Sequence, residues 1–118
     1  MAFFTITEAS GEDGVEIVAV SGYLDFDAAP QLKRSVVQRI DQGTRNLVVD
    51  LSETRFIDST AIGVLVGAVK RLREADGSLV VVCSDENVRN IFEIAGLVDV
   101  IPVYRSRDDA CSSLSRAA

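Results

Sequence analysis

The sequence has no histidine and no tryptophan, and it holds only two cysteines, two prolines and one methionine among 118 residues. Without histidine a Ser-His-Asp type of triad is excluded, and two cysteines cannot furnish the four ligands of a structural zinc site. Cys83 and Cys111 lie far apart and outside any CxxC spacing, so they read as two reduced, mostly buried thiols. Long apolar runs are missing as well. The longest stretch of apolar residues and glycine, Ala61 to Val69, covers nine residues, whereas a membrane-spanning helix needs about 20. No basic segment followed by a cleavable apolar stretch opens the chain, so no secretion signal is expected and the expected address is the cytoplasm. Positive charge is in the minority: 12 Lys and Arg stand against 18 Asp and Glu, a net charge of −6. That balance argues against non-specific attraction to nucleic acid or to an anionic membrane.

What is present describes one globular domain spanning 1–118. Apolar residues make up 47% and charged residues 25%, close to the globular average and sufficient for a core without disulfide staples. Apolar, β-branched runs at Phe4–Ala9 and Val15–Gly22 flank Ser10-Gly11-Glu12-Asp13-Gly14, a cluster that tolerates turn geometry. Asp27 can cap a helix in which Ala29, Leu32, Val36 and Ile40 recur at spacings of three and four, ending before Gly43. Strands are then expected at Asn46–Leu51, Leu79–Cys83 and Val100–Tyr104, alternating with helices at Ser59–Ala75, Asp85–Ala95 and Asp108–Leu114. Continuous rather than alternating hydrophobicity in these strands suggests that helices cover them. Pro102 would remove a ladder hydrogen bond, which assigns the last strand to an edge. The fold class expected is α/β, a mixed, mainly parallel five-stranded sheet with about four helices, the first strand added antiparallel.

In such sheets the loops at the carboxyl ends of parallel strands share a rim where recognition sites gather. Here that rim is expected to carry Gly22-Tyr23-Leu24-Asp25, a long loop from Ser52 through Thr60, and Ser84-Asp85. The long loop ends in Phe56-Ile57-Asp58-Ser59-Thr60-Ala61-Ile62-Gly63, which sets two hydroxyls at a helix start. Unpaired backbone N–H groups and the helix dipole favour a hydroxyl or an anion there, so Asp58 or Ser59 could serve as an N-cap, as a recognition residue, or both. Along that helix Ile62, Leu65, Val66 and Val69 fall on one side, the expected core side, and Gly63, Gly67, Lys70 and Glu74 fall beside Ser59. Two interior glycines cost about 1 kcal/mol each relative to alanine. The cost is explained either by close packing inside the domain or by an outward groove where another backbone approaches.

These segments resemble the STAS domain, named for sulfate transporters and anti-sigma factor antagonists, over nearly the whole chain. The match rests on Gly22-Tyr23-Leu24-Asp25, on Leu47-Val48-Val49-Asp50-Leu51-Ser52 leading into the Asp58-Ser59-Thr60 segment, and on Phe92-Glu93-Ile94-Ala95-Gly96-Leu97. Ala61 stands where the family often has glycine. The resemblance implies an anti-sigma factor antagonist: the unphosphorylated form binds an anti-sigma factor serine kinase and frees a sigma factor. It also implies that phosphorylation of Ser59 ends binding and that a regulatory phosphatase reverses it. Asp25, Asp58 and Thr60 match positions lining that site, with Gly63 and Gly67 added as partner-binding residues from the helix face. No cofactor, metal or catalytic residue is expected.

The alternative within the family is a scaffold or binding subunit of a larger signalling or transport complex. Asp50 could in principle be the phosphoacceptor of a receiver domain, but the only lysines are Lys33 and Lys70, both expected on helices, and the acidic pair such a domain needs is absent. An autonomous enzyme built on Asp25 and Asp58 as acid and base is disfavoured, since carboxylates on neighbouring loops are more often caps.

Overall fold

The structure, a computed structural model, describes residues 4–115. Its elements run β1 (Phe4–Ser10), β2 (Val15–Leu24), α1 (Ala29–Asp41), β3 (Asn46–Ile57), α2 (Ser59–Glu74), β4 (Ser78–Val82), α3 (Glu86–Ile94), β5 (Val103–Tyr104) and α4 (Arg107–Ser115). The five strands lie side by side in chain order. β1 is antiparallel to β2, and the remaining neighbours are parallel.

A parallel sheet laid down in one direction sends each right-handed crossover to the same face. Alternation along the strands shows the result. Val18 and Val20, then Leu47, Val49 and Leu51, then Leu79 and Val81, face a large core shared with α1, α2 and α3. The opposite side chains, Val15, Ile17, Val48, Val80 and Val82, meet Ala110 and Leu114 of α4. The expected first-helix face is buried as spaced, with Ala29, Leu32, Val36 and Ile40 all in the core. In α2, Leu65 and Val69 are buried as expected, but Ile62 and Val66 are only half-buried. The core stripe is turned toward Ala61, Leu65, Ala68 and Leu72.

Three expectations need correction. First, Asp27 does not cap α1. The Asp25 carboxylate accepts hydrogen bonds from Asp27 N (3.0 Å) and Ala28 N (3.2 Å), and the Asp25 carbonyl accepts from Ala28 N and Ala29 N. A turn begun at Asp25 therefore runs into the helix, leaving Asp27 exposed within it. Second, Ser52 to Ile57 is strand rather than loop, because β3 continues beside β2 to the register pair Leu24 and Ile57. Third, β5 holds two residues instead of five. The Val100 and Ile101 N–H groups turn back to the Leu97 carbonyl. Pro102, which has no N–H, serves through its carbonyl, accepting from Val81 N at 2.9 Å. The strand is at the sheet edge, as the proline required.

β1 is held to the body by charge as well as by its ladder. Arg39 on α1 pairs with Glu8 on β1 and, at 3.0 Å, with Glu16 on β2, while the Ser35 hydroxyl donates to Glu8 at 2.6 Å. The Ser35 hydrogen bond first, and Arg39 second, hold the Glu8 carboxyl below its ordinary 4.5. A depressed folded value stabilises the fold above the unfolded pKa, and the contribution is lost as pH falls through the folded one. Glu8→Gln is expected to lower the unfolding free energy at pH 7 slightly, by less than about 1 kcal/mol for so exposed a pair, and to flatten the decline in stability below pH 4.5. Urea titrations at several pH values check this.

Candidate functional site

The ends of β2 and β3 are paired, Tyr23 with Phe56 and Leu24 with Ile57, and Asp58 N donates to the Leu24 carbonyl at 3.2 Å. Whatever follows these two strands must therefore emerge side by side. Asp25 follows one, and Asp58, Ser59 and Thr60 follow the other. The structure brings these four residues to one rim. Asp85 stands apart: β4 ends at Val82, opposite Asp50, with β3 running seven further residues to Ile57. The rim is thus stepped by roughly 20 Å along the strand. The Asp85 carboxylate is occupied in capping α3, accepting from Asn87 N and Val88 N.

At the rim the roles of cap and free hydroxyl are separated. Asp58, in extended backbone conformation, is the N-cap of α2, and its carboxylate accepts from Ala61 N at 3.0 Å. Ser59 and Thr60 occupy the first helical turn with exposed side chains, and neither hydroxyl is hydrogen-bonded among the described residues. No described residue makes use of the Ser59 hydroxyl. It stands at the positive end of a 16-residue helix, where an added anion is stabilised.

Sequence reasoning missed the aromatic border of this rim. Tyr23 is 50%, Phe26 65% and Phe56 47% exposed, and Tyr23 meets Phe56 edge to face, ring centroids 6.3 Å apart. Aromatic side chains left in water are the residue types enriched at interface centres, and the carboxylates beside them suit the polar rim. For Tyr23 the signal was available in the spelling Tyr23-Leu24-Asp25, where the strand alternation that buries Leu24 turns Tyr23 out; Phe26 lies beyond the end of β2, where alternation gives no guide.

Gly63 and Gly67 lie further along the helix. A β-carbon built on either meets no atom within 4 Å, so close packing inside the domain does not account for them. They open a groove of about 370 Å³ between α1 and α2, with Val36, Val37, Val64 and Ala68 among its lining and Thr60 contributing too. Lys70 and Glu74 are exposed and do not line it.

Asp50 is not at a strand end. It is buried within β3, accepts from Ser52 N, and is ion-paired at 2.9 Å with Arg107 of α4. A carboxylate so engaged clamps α4 to the sheet. Burial pushes the Cys83 and Cys111 thiols up, which disfavours the reactive thiolate. Both are free.

The family model of the STAS domain matches residues 7–110. The chain belongs to the STAS domain family. Among curated relatives, this STAS domain is 32% identical over 105 residues to the putative anti-sigma factor antagonist BtrV of Bordetella bronchiseptica, covering 89% of the chain and 90% of the relative. It is 32% identical over 96 residues to the anti-sigma-B factor antagonist of Staphylococcus aureus, covering 81% and 89%. Among solved structures, an anti-sigma factor antagonist from Mycobacterium paratuberculosis superposes with a TM-score of 0.86 at 29% identity, over 94% of this chain and 93% of that one. No helix among the described residues is long and apolar enough to cross a membrane.

Proposed function

We propose that this STAS domain is an anti-sigma factor antagonist whose unmodified form binds an anti-sigma factor serine kinase, and that phosphorylation of Ser59 by that kinase ends binding. The observation that carries the reading is the division of labour at the rim: Asp58 caps α2 while the adjacent Ser59 hydroxyl stays exposed and, among the described residues, unbonded. The names borne by the curated relatives support it. A phosphoserine adds about −1.5 to −2 charges. The helix terminus stabilises that charge in the free protein, so the fold tolerates it. In the complex the same dianion would have to be desolvated beside Asp25 and Asp58. A regulatory phosphatase then resets the surface.

Asp25, Asp58 and Thr60 are the polar contacts of this reading, and Tyr23, Phe26 and Phe56 its apolar anchors. The test uses immobilised Ser59→Ala protein as bait in extract of the organism that encodes it. An ATPase of the serine-kinase type is expected to be retained. The purified kinase with ATP and Mg²⁺ is then expected to phosphorylate wild type at Ser59 and to leave Ser59→Ala unmodified. Phosphate mapped to Thr60 or elsewhere, or a bait that retains no such ATPase, overturns the reading.

A further inference from the structure

We propose that the groove between α1 and α2 receives a helix of the partner protein, its backbone lying over Gly63 and Gly67 and a carboxylate side chain set between Lys33 and Arg71. This rests on the reading of the chain as a partner-binding antagonist, and it names the segment that the partner must bring. Lys33 and Arg71 reach the groove from opposite helices, and no carboxylate lines it. Neither cation has an ion pair or hydrogen bond among the described residues; the exposed Arg34, Arg55 and Lys70 are equally without one, but only Lys33 and Arg71 line this groove. In a chain of net charge −6, two unpaired cations facing one groove are complementary to an acidic occupant.

The occupant is a helix because of what the walls offer. Both walls are helices whose interior backbone groups are already bonded, so an added strand would find no ladder to join. A lone inorganic anion would gain nothing from the valines of the floor. An amphipathic helix uses both features, and the two missing β-carbons allow its backbone to come close. Thr60, next to Ser59, also lines the groove, so a phosphate on Ser59 would repel the acid-bearing segment at the groove's mouth.

The test places the photo-crosslinker p-benzoylphenylalanine at Val37 of the full chain, with Glu12 on the β1–β2 turn as the control position. After irradiation in extract, the cross-linked peptide is sequenced and its parent protein is purified. The expected cross-link from position 37 is to a helical segment carrying Asp or Glu, absent from position 12. The double variant Lys33→Glu/Arg71→Glu is expected to bind about tenfold more weakly, with binding regained when the partner's acid is changed to lysine. Gly67→Ala is expected to melt about 4 °C higher, as glycine-to-alanine in an open helix should, and yet to bind less tightly. No cross-link specific to position 37, a cross-linked segment without a carboxylate, or both variants binding within twofold of wild type overturns the assignment. A kinase that phosphorylates Ser59 yet ignores the charge reversal sinks the groove alone. A cross-linked acidic helix from a protein that is no kinase sinks the proposed function alone.

Discussion

Ser59→Asp is expected to lower affinity for the kinase by roughly two decades while the domain stays folded. An uncompensated charge buried at an interface costs about 3–5 kcal/mol, and each 1.4 kcal/mol is about tenfold in affinity. A single carboxylate carries less charge than a phosphoserine, which sets the expectation toward the lower end. Stability should barely move, because the position is exposed and an acid in the first turn of a helix complements its dipole. Ser59→Asn separates charge from shape: it has nearly the same outline as aspartate and should retain most of the binding. Titration calorimetry with the purified kinase measures both, and thermal melts check the fold. Equal affinity for the aspartate variant and wild type would mean that the interface does not cover this hydroxyl.

Gly77→Ala is expected to destabilise the domain by about 3 kcal/mol, the upper part of the usual range for overpacking a filled site. Gly77 closes the turn between α2 and β4, its N–H donating to the Leu72 carbonyl at 2.6 Å while the Ser78 N–H donates to the Arg45 carbonyl at 2.7 Å. A β-carbon there would fall on the Arg45 carbonyl oxygen, nearer than any real methyl approaches, and 2.9 Å from Leu72 Cδ2. The backbone entering β3 would have to move away from the turn. At about 4 °C of melting temperature per kcal/mol for a domain of this size, the fall should be roughly 12 °C. The same substitution at Gly67, where a β-carbon meets nothing, has the opposite sign. Scanning calorimetry of the two variants side by side decides whether surroundings, rather than residue type, set the outcome.

The sequence carried most of the architecture because the information was local. Ala29, Leu32, Val36 and Ile40 at helical spacing identified α1, the Val- and Leu-rich runs identified the central strands, and Pro102 identified an edge. Two misreadings had a common origin, in that a polar residue's partner was not visible. Asp25 and Asp27 are both plausible caps by spelling, and only the turn geometry chooses Asp25. Ser52 to Ile57 lacks the apolar density of a covered strand because it pairs on one side only, with β2. The pairing is also irregular: the four residues of β3 from Asp50 to Glu53 are matched by the three of β2 from Ala19 to Ser21. Such bulges leave no periodic trace. Of the candidate site, the hydroxyl pair and the glycine face were legible. Which of Asp58 and Ser59 does the capping was not, since either side chain can accept a hydrogen bond from the first turn.

The one-sided stretch of β3 has a dynamic consequence. Beyond Asp50 the strand has a ladder partner in β2 alone, so opening it requires less than opening the doubly paired segment from Asn46 to Asp50. Ser59 sits just past the end of that stretch. Leu51 and Ile57 of that stretch nevertheless stay in the hydrophobic core, and the Thr54 hydroxyl donates to the Val20 carbonyl at 2.9 Å, so the start of α2 takes its position from β2 and the core rather than from β4.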